Sequence, residues 1–118
     1  MVFSNTGLNV MRDWLVGDSA AYPVSMAVGT GSTSADASQT ALVGEVFRDS
    51  FDSTDKSDRL AKFELVLSTL EATGNTVAEI GMFNSATGTA GTMFTRNTFA
   101  PVDKTNAIEI QFEQRVAF

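Results

Sequence analysis

The sequence contains no cysteine and no histidine among its 118 residues. Without cysteine, the chain can form neither disulfides nor thiolate metal sites, and it has no thiol nucleophile. Without histidine, it lacks the most common general base and zinc ligand, so a serine–histidine–aspartate triad cannot be built. We therefore expect a protein that is not an enzyme and that has no catalytic residues, no cofactor and no metal site.

Basic residues are also few, with 8 lysines and arginines against 14 acidic residues and a net charge of −6. They are scattered, whereas a phosphate-binding surface needs them clustered, so we expect no nucleic-acid partner. No run approaches the roughly 18 apolar residues of a membrane helix. Residues 1–6 lack the basic and apolar regions of a secretory signal. We therefore expect no membrane contact and folding in a cytoplasm.

The hydrophobic fraction of 43% is typical of a globular protein, and the length suits one domain over residues 1–118. Near the N-terminus, apolar residues recur at helical spacing and predict a short helix over about residues 6–16. The residues of this stripe are Leu8, Met11, Trp14 and Leu15. Asn5 or Thr6 can cap the helix, and Gly17 suits the position after its end.

Beyond residue 23 the apolar period changes to two, as in half-buried strands. The clearest candidate strands are residues 24–28, 63–67, 77–83, 93–99 and 108–118. We expect Pro101 to end the fourth of them. In the last segment one face carries Ile108, Ile110, Phe112, Val116 and Phe118. Short strands separated by turns predict a mostly β fold, an antiparallel β-sandwich or barrel-like sheet of about 6–8 strands with a short N-terminal α-helix.

Residues 29–40 are rich in Gly, Thr, Ser and Ala and have no periodicity, which predicts a long loop. Its start follows a strand and resembles a phosphate-binding loop, in which glycines let backbone amides approach an anion. It lacks the lysine of a P-loop and the third glycine of a dinucleotide motif. We therefore interpret it as a flexible surface loop or an inter-subunit contact loop that is disordered before assembly.

Four aspartates recur at every third position: Asp49, Asp52, Asp55 and Asp58. A calcium-binding EF-hand instead places its carboxylates at every second position and adds a closing glutamate. We interpret the four aspartates as solvated charges near a turn, and whether they bind an ion stays open.

The glutamates in predicted strands are Glu64, Glu79, Glu109 and Glu113. Exposed charge on the polar face of an antiparallel strand is the usual explanation for such residues. Glu79 differs, because it and Arg96 lie in apolar strands that should be neighbours. This predicts a cross-strand ion pair between them.

The candidate interaction residues form two groups. The first is apolar and aromatic, and comprises Leu8, Met11, Trp14 and Tyr22. Aromatic side chains often anchor protein contacts, although a single tryptophan on a helix stripe is also typical of a core. The second group is the start of the loop, and comprises Gly29, Thr30, Gly31 and Ser32.

Four segments, residues 23–31, 39–48, 75–84 and 93–105, stand in a recognisable order. The third reads NTVAEIGMFN and the fourth MFTRNTFAPVDKT. Together they resemble small tail proteins of tailed bacteriophages, which are similar to the N-terminal region of tail-collar and tail-fibre proteins. A fibre chain would continue into a shaft and a receptor-binding tip, so we expect an adaptor instead.

The resemblance implies a β-rich structural protein of the phage tail, in the baseplate, the collar or the fibre attachment. Such a protein would assemble in the host cytoplasm as a homo-oligomer, a trimer or a hexameric ring, and would bind other tail proteins. A head decoration or head–tail connector protein is an alternative of the same kind. A small carbohydrate-binding adhesin is an alternative of another class, but it needs exposed aromatics, and the chain has one tryptophan and one tyrosine.

Overall fold

The computed structural model describes all residues, Met1–Phe118, and confirms the mostly β fold with one short N-terminal helix. The chain forms eight strands and one helix. In chain order these are β1 (Val2–Phe3), α1 (Asn5–Leu15), β2 (Ser25–Gly29), β3 (Glu45–Ser50), β4 (Ser53–Ser57), β5 (Leu60–Leu67), β6 (Asn75–Phe83), β7 (Met93–Lys104) and β8 (Ile110–Ala117).

The strands form two antiparallel sheets. The five-stranded sheet has the order β1-β7-β6-β2-β3, and the three-stranded sheet has the order β4-β5-β8. The chain passes between the sheets after β3, after β5 and after β7. Each sheet therefore contains strands from both halves of the sequence.

The main core lies between the two sheets. Its buried residues are Met26 and Val28 of β2, Leu65 and Leu67 of β5, and Val77 and Ile80 of β6. Met26 and Val28 alternate along β2, and Leu65 and Leu67 along β5, as the period of two predicts, whereas the register of β6 shifts between Val77 and Glu79. Burial of each such side chain contributes about 1.5–3 kcal/mol, so this layer holds the sheets together. Phe99 and Phe112 extend it, with ring centroids 5.5 Å apart.

The helix begins at Asn5, and its N-cap is Ser4 instead of the expected Asn5 or Thr6. The Ser4 hydroxyl accepts from the amide of Gly7 at 2.9 Å, and the Ser4 amide donates to the carbonyl of Phe94 at 2.9 Å. Ser4 is the N-cap because β1 pairs with β7 and thereby places Ser4 next to Phe94. At Gly7 a Cβ would lie 2.7 Å from the Cα of Phe94, so only glycine allows the helix to approach so closely.

Pro101 does not end its strand, and the prediction that it would is wrong. β7 continues to Lys104. In the pairing of β6 with β7, Val77 faces Val102 and Glu79 faces Thr98, so residues 99–101 share a single partner, Ala78. Proline is tolerated in such an irregular stretch because no regular ladder bond needs its missing N–H.

A second apolar cluster covers the face of the five-stranded sheet that points away from the three-stranded sheet, here called the outer face. It consists of Ala27, Leu42, Phe83 and Met93. Leu42 belongs to residues 30–44, which connect β2 to β3 and are here called the long loop. The guanidinium of Arg48 lies 3.7 Å from the centre of the Phe83 ring and pairs with Glu45 at 2.7 Å.

The predicted ion pair between Glu79 and Arg96 is confirmed, and it lies on this outer face. Arg96 Nε donates to Glu79 Oε1 at 2.9 Å, and both side chains are 1% exposed or less. The two residues are not directly opposite, because Glu79 faces Thr98 and Arg96 faces Gly81. The pair therefore reaches diagonally across neighbouring strands, and it lies beneath the long loop.

The long loop is held by this pair, which corrects the expectation of a free, flexible segment. The Glu79 carboxylate accepts from the amides of Gly31, Val43 and Gly44 at 2.6, 2.9 and 2.8 Å. Arg96 Nη1 donates to the Thr33 carbonyl at 2.7 Å and to the Gln39 side chain at 3.1 Å. Two side chains of the sheet thereby fix both ends and the middle of the loop.

Replacement of Glu79 with glutamine should lower the free energy of unfolding by about 3–5 kcal/mol, because the buried Arg96 guanidinium would lose its counter-charge. Urea unfolding followed by circular dichroism measures this loss. The matched control is Glu109→Gln, an exposed glutamate, which should change the stability by less than about 0.5 kcal/mol. Equal effects of the two substitutions would contradict the role given to the pair.

Candidate interaction surface

The predicted interaction residues do not form one surface. Gly29 and Gly31 are buried, and a Cβ on Gly29 would lie 2.7 Å from Glu79 Oε2. The two glycines are therefore needed for the approach of the loop to the carboxylate, and they are not free to bind a partner. Thr30 and Ser32 are exposed beside them.

The start of the long loop shares one property with a phosphate-binding loop. The amide of Gly31 does approach an anion, as glycine-rich loops allow. The anion is the chain's own Glu79 carboxylate. The sequence carries one signal for this contact. Glu79 is a buried acid with a single predicted cationic partner, so its carboxylate needs further hydrogen-bond donors.

The apolar group does contribute to one surface, an apolar groove between α1 and the end of β8. We call it the helix groove, and its lining residues are Leu8, Met11, Arg12, Trp14, Leu15 and Phe118. The side chain of Leu15 is 89% exposed and that of Phe118 is 68% exposed. Single exposed apolar residues are ordinary, but a contiguous group of them marks an interaction site.

Trp14 is a wall of this groove and not an exposed anchor. Its ring stacks on Phe94 with centroids 6.0 Å apart, and its indole N–H donates to the carbonyl of Ala21. Tyr22, by contrast, is 64% exposed and lies outside the groove lining. Leu15 and Phe118 were missed as interaction residues, because their apolar character predicted that they would face the core.

Beneath the groove lies a cavity of about 100 Å³ between α1 and the two sheets. Nine of its ten lining residues are hydrophobic: the lining consists of Phe3, Met11, Trp14, Pro23, Ala61, Phe63, Met82, Phe94, Val116 and Phe118. Met11, Trp14 and Phe118 line both the cavity and the groove. An apolar side chain from a partner suits this space better than a charged ligand would, because the walls offer almost no polar partner.

The four regularly spaced aspartates do not converge. Asp55 lies in β4 and pairs with Lys62 at 3.8 Å, whereas Asp52 accepts from the amide of Val66 at 2.6 Å. Asp58 occupies a turn with a positive φ of 54°. No three acidic side chains of the chain lie close enough together to hold a metal ion.

Two exposed carboxyl groups have perturbed acidities. The hydroxyl and amide of Ser38 donate to Asp36 and lower the pKa of its carboxyl. The guanidinium of Arg115 donates to Glu113 and lowers the pKa of that carboxyl. Both groups are therefore ionised at neutral pH and act as fixed negative charges on the surface.

The helix α1 has only 11 residues, and no helix of the structure has the length and apolar character needed to cross a membrane. No protein-family model matches the chain, and no curated protein matches its sequence.

Replacement of Leu15 with serine should change the free energy of unfolding by less than about 0.5 kcal/mol, since the side chain is already in water. Trp14→Ala should cost roughly 3 kcal/mol, since it removes the packing on Phe94. Chemical unfolding measures both, and binding of a hydrophobic dye to the native protein should fall for Leu15→Ser. A destabilisation by Leu15→Ser as large as that by Trp14→Ala would show that the groove is part of the core.

Proposed function

We propose that this chain is a structural protein of a bacteriophage tail, in the baseplate, the collar or the fibre attachment. It self-assembles, as a trimer or a hexameric ring, and binds neighbouring tail proteins. The observation that carries the proposal is the helix groove, where Leu15 and Phe118 expose apolar surface above an apolar cavity. The order of the four sequence segments that resemble phage tail proteins supplies the biological setting.

A part of a symmetric particle needs surfaces that fit copies and neighbours, and each weak contact is multiplied by the symmetry. The helix groove suits this work because it is concave and apolar and is rimmed by Arg12. The buried charges of Glu79 and Arg96 pair with each other and hydrogen-bond to the long loop. This supports a structural role for the chain in place of a catalytic one.

The surfaces of the structure bear on two alternative functions, a head protein and a carbohydrate-binding adhesin. A head decoration or head–tail connector protein would use the groove in the same way and differ only in its place in the particle. A carbohydrate-binding adhesin would need an exposed aromatic platform. Trp14 is packed against Phe94, and the two well-exposed aromatic side chains, Tyr22 and Phe118, do not line a common groove, so the tail protein is favoured.

Gold-labelled antibodies against the chain, applied to virions of the phage that encodes it and viewed by electron microscopy, should mark the tail. Labelling of the capsid would favour the decoration protein, and absence from purified particles would contradict a virion role. Light scattering of the purified chain should give three or six times the protomer mass of 12.6 kDa. A stable monomer at high micromolar concentration would contradict self-assembly without a partner.

A further inference from the structure

Strand β8 is an open edge of the three-stranded sheet. It pairs with β5 over its whole length, from Ile110 to Ala117, and with no strand on its other side. It contains neither proline nor glycine, and its register is regular. A long, regular edge of this kind is a template for pairing with another strand.

The other sheet edges carry features that discourage such pairing. β1 has two residues, and β3 is bulged at Val46, since Val28 faces Phe47 and Gly29 faces Glu45. β4 carries Lys56 opposite Ala61, which places a charged residue on the core-facing side of that edge. Short strands, bulges and inward charges are the usual protections of an edge, and β8 has none of them.

The backbone groups that β8 leaves open belong to its odd-numbered residues. The amide of Phe118 donates to the carbonyl of Arg59 at 2.8 Å, so even-numbered residues direct their amides and carbonyls towards β5. Because this direction alternates along an antiparallel strand, residues 111, 113, 115 and 117 direct theirs to the open edge. A second strand would find four donors and four acceptors in regular order.

The two charged side chains of β8 lie directly opposite like charges on β5, and Glu113 also has the opposite charge of Lys62 on the diagonal. Arg115 lies directly opposite Lys62, and Glu113 lies directly opposite Glu64. Like charges facing each other across a ladder are destabilising. Within the protomer, Arg115 and Glu113 compensate by pairing with each other along the strand. Opposite charges placed at the open edge would stabilise both residues.

A second copy of β8 supplies those charges in one register only. If two antiparallel β8 strands are centred on Gln114, Glu113 of each copy faces Arg115 of the other. Centring on residue 113 would place two glutamates face to face, and centring on residue 115 would do the same with two arginines. All three registers join the odd-numbered open groups, but only the register centred on Gln114 matches both charges.

We propose that β8 of one protomer pairs antiparallel with β8 of a second copy across a two-fold axis centred on Gln114. The two three-stranded sheets then form one six-stranded sheet, with two Glu113–Arg115 pairs flanking the axis. The inference rests on the proposed function in one respect, which is the self-assembly of the chain. It identifies the edge of β8 as the surface through which the copies associate. An isologous contact of this type builds a hexamer from three dimers and does not build a lone trimer, so it selects the hexamer of the two proposed assemblies.

Charge reversal tests the register in the full-length protein. Glu113→Arg places arginine against arginine, and Arg115→Glu places glutamate against glutamate, so each substitution should weaken self-association by about tenfold or more. The double variant E113R/R115E restores opposite charges and should return the dissociation constant to within about threefold of that of the unmodified protein. Sedimentation velocity measures all four proteins, and circular dichroism checks that each is folded.

The matched control is Glu109→Arg, which makes the same change of net charge in the turn before β8 and should leave association unchanged. Single variants that associate as the unmodified protein does, a double variant that stays as weak as the singles, or a monomeric unmodified protein would each overturn the inference. Association that resists charge reversal but is lost in Leu15→Ser would assign assembly to the helix groove instead. That last result would leave the proposed function standing, which the labelling of virions tests separately.

Discussion

Glu79 and Arg96 lie side by side on the outer face of the five-stranded sheet, and both are removed from water. A buried ion pair needs hydrogen-bond partners for its remaining donors and acceptors. Here the long loop supplies most of them, with amides from both of its ends on the carboxylate and a carbonyl from its middle on the guanidinium, and Arg96 Nη2 alone stays without a partner. The pair and the loop therefore depend on each other: the loop shields the charges, and the charges fix the loop. With the loop in place, Leu42 packs on the outer face and the sheet is covered on both sides.

This arrangement leaves the functional surfaces at other places in the molecule. One face of the five-stranded sheet meets the three-stranded sheet and the other meets the long loop, so neither can receive a partner. The helix groove and the edge of β8 are both free, and Phe118 follows directly after that strand and lines that groove. Assembly through the edge would place two grooves on one dimer, where they could bind neighbouring proteins in a symmetric way.

The sequence predicted the features that depend on local periodicity, and it predicted the ion pair because two charged residues interrupt apolar strands. The alternation in β8 and the apolar strands around Glu79 and Arg96 led to the correct fold class and to the ion pair. The bulge that accommodates Pro101 and the choice of Ser4 as N-cap depend on where β6 and β7 lie, which no local pattern encodes. The exposure of Leu15 has the same origin, because hydrophobicity alone does not show which side of a helix the sheets will cover. The backbone donors of Glu79 were missed because amides carry no signal in the sequence.

Hydrogen exchange of individual amides, followed by NMR in the isolated protein, tests most directly whether the buried pair orders the long loop. The amides of Gly31, Val43 and Gly44 donate to Glu79, so they should exchange as slowly as the amides in the centre of β6, even though none of them belongs to a helix or strand. The neighbouring amides of Ser32 and Thr33, which have no such partner, should exchange much faster. Equally fast exchange at all of these positions would mean that the loop is free in the protomer, and would contradict the account.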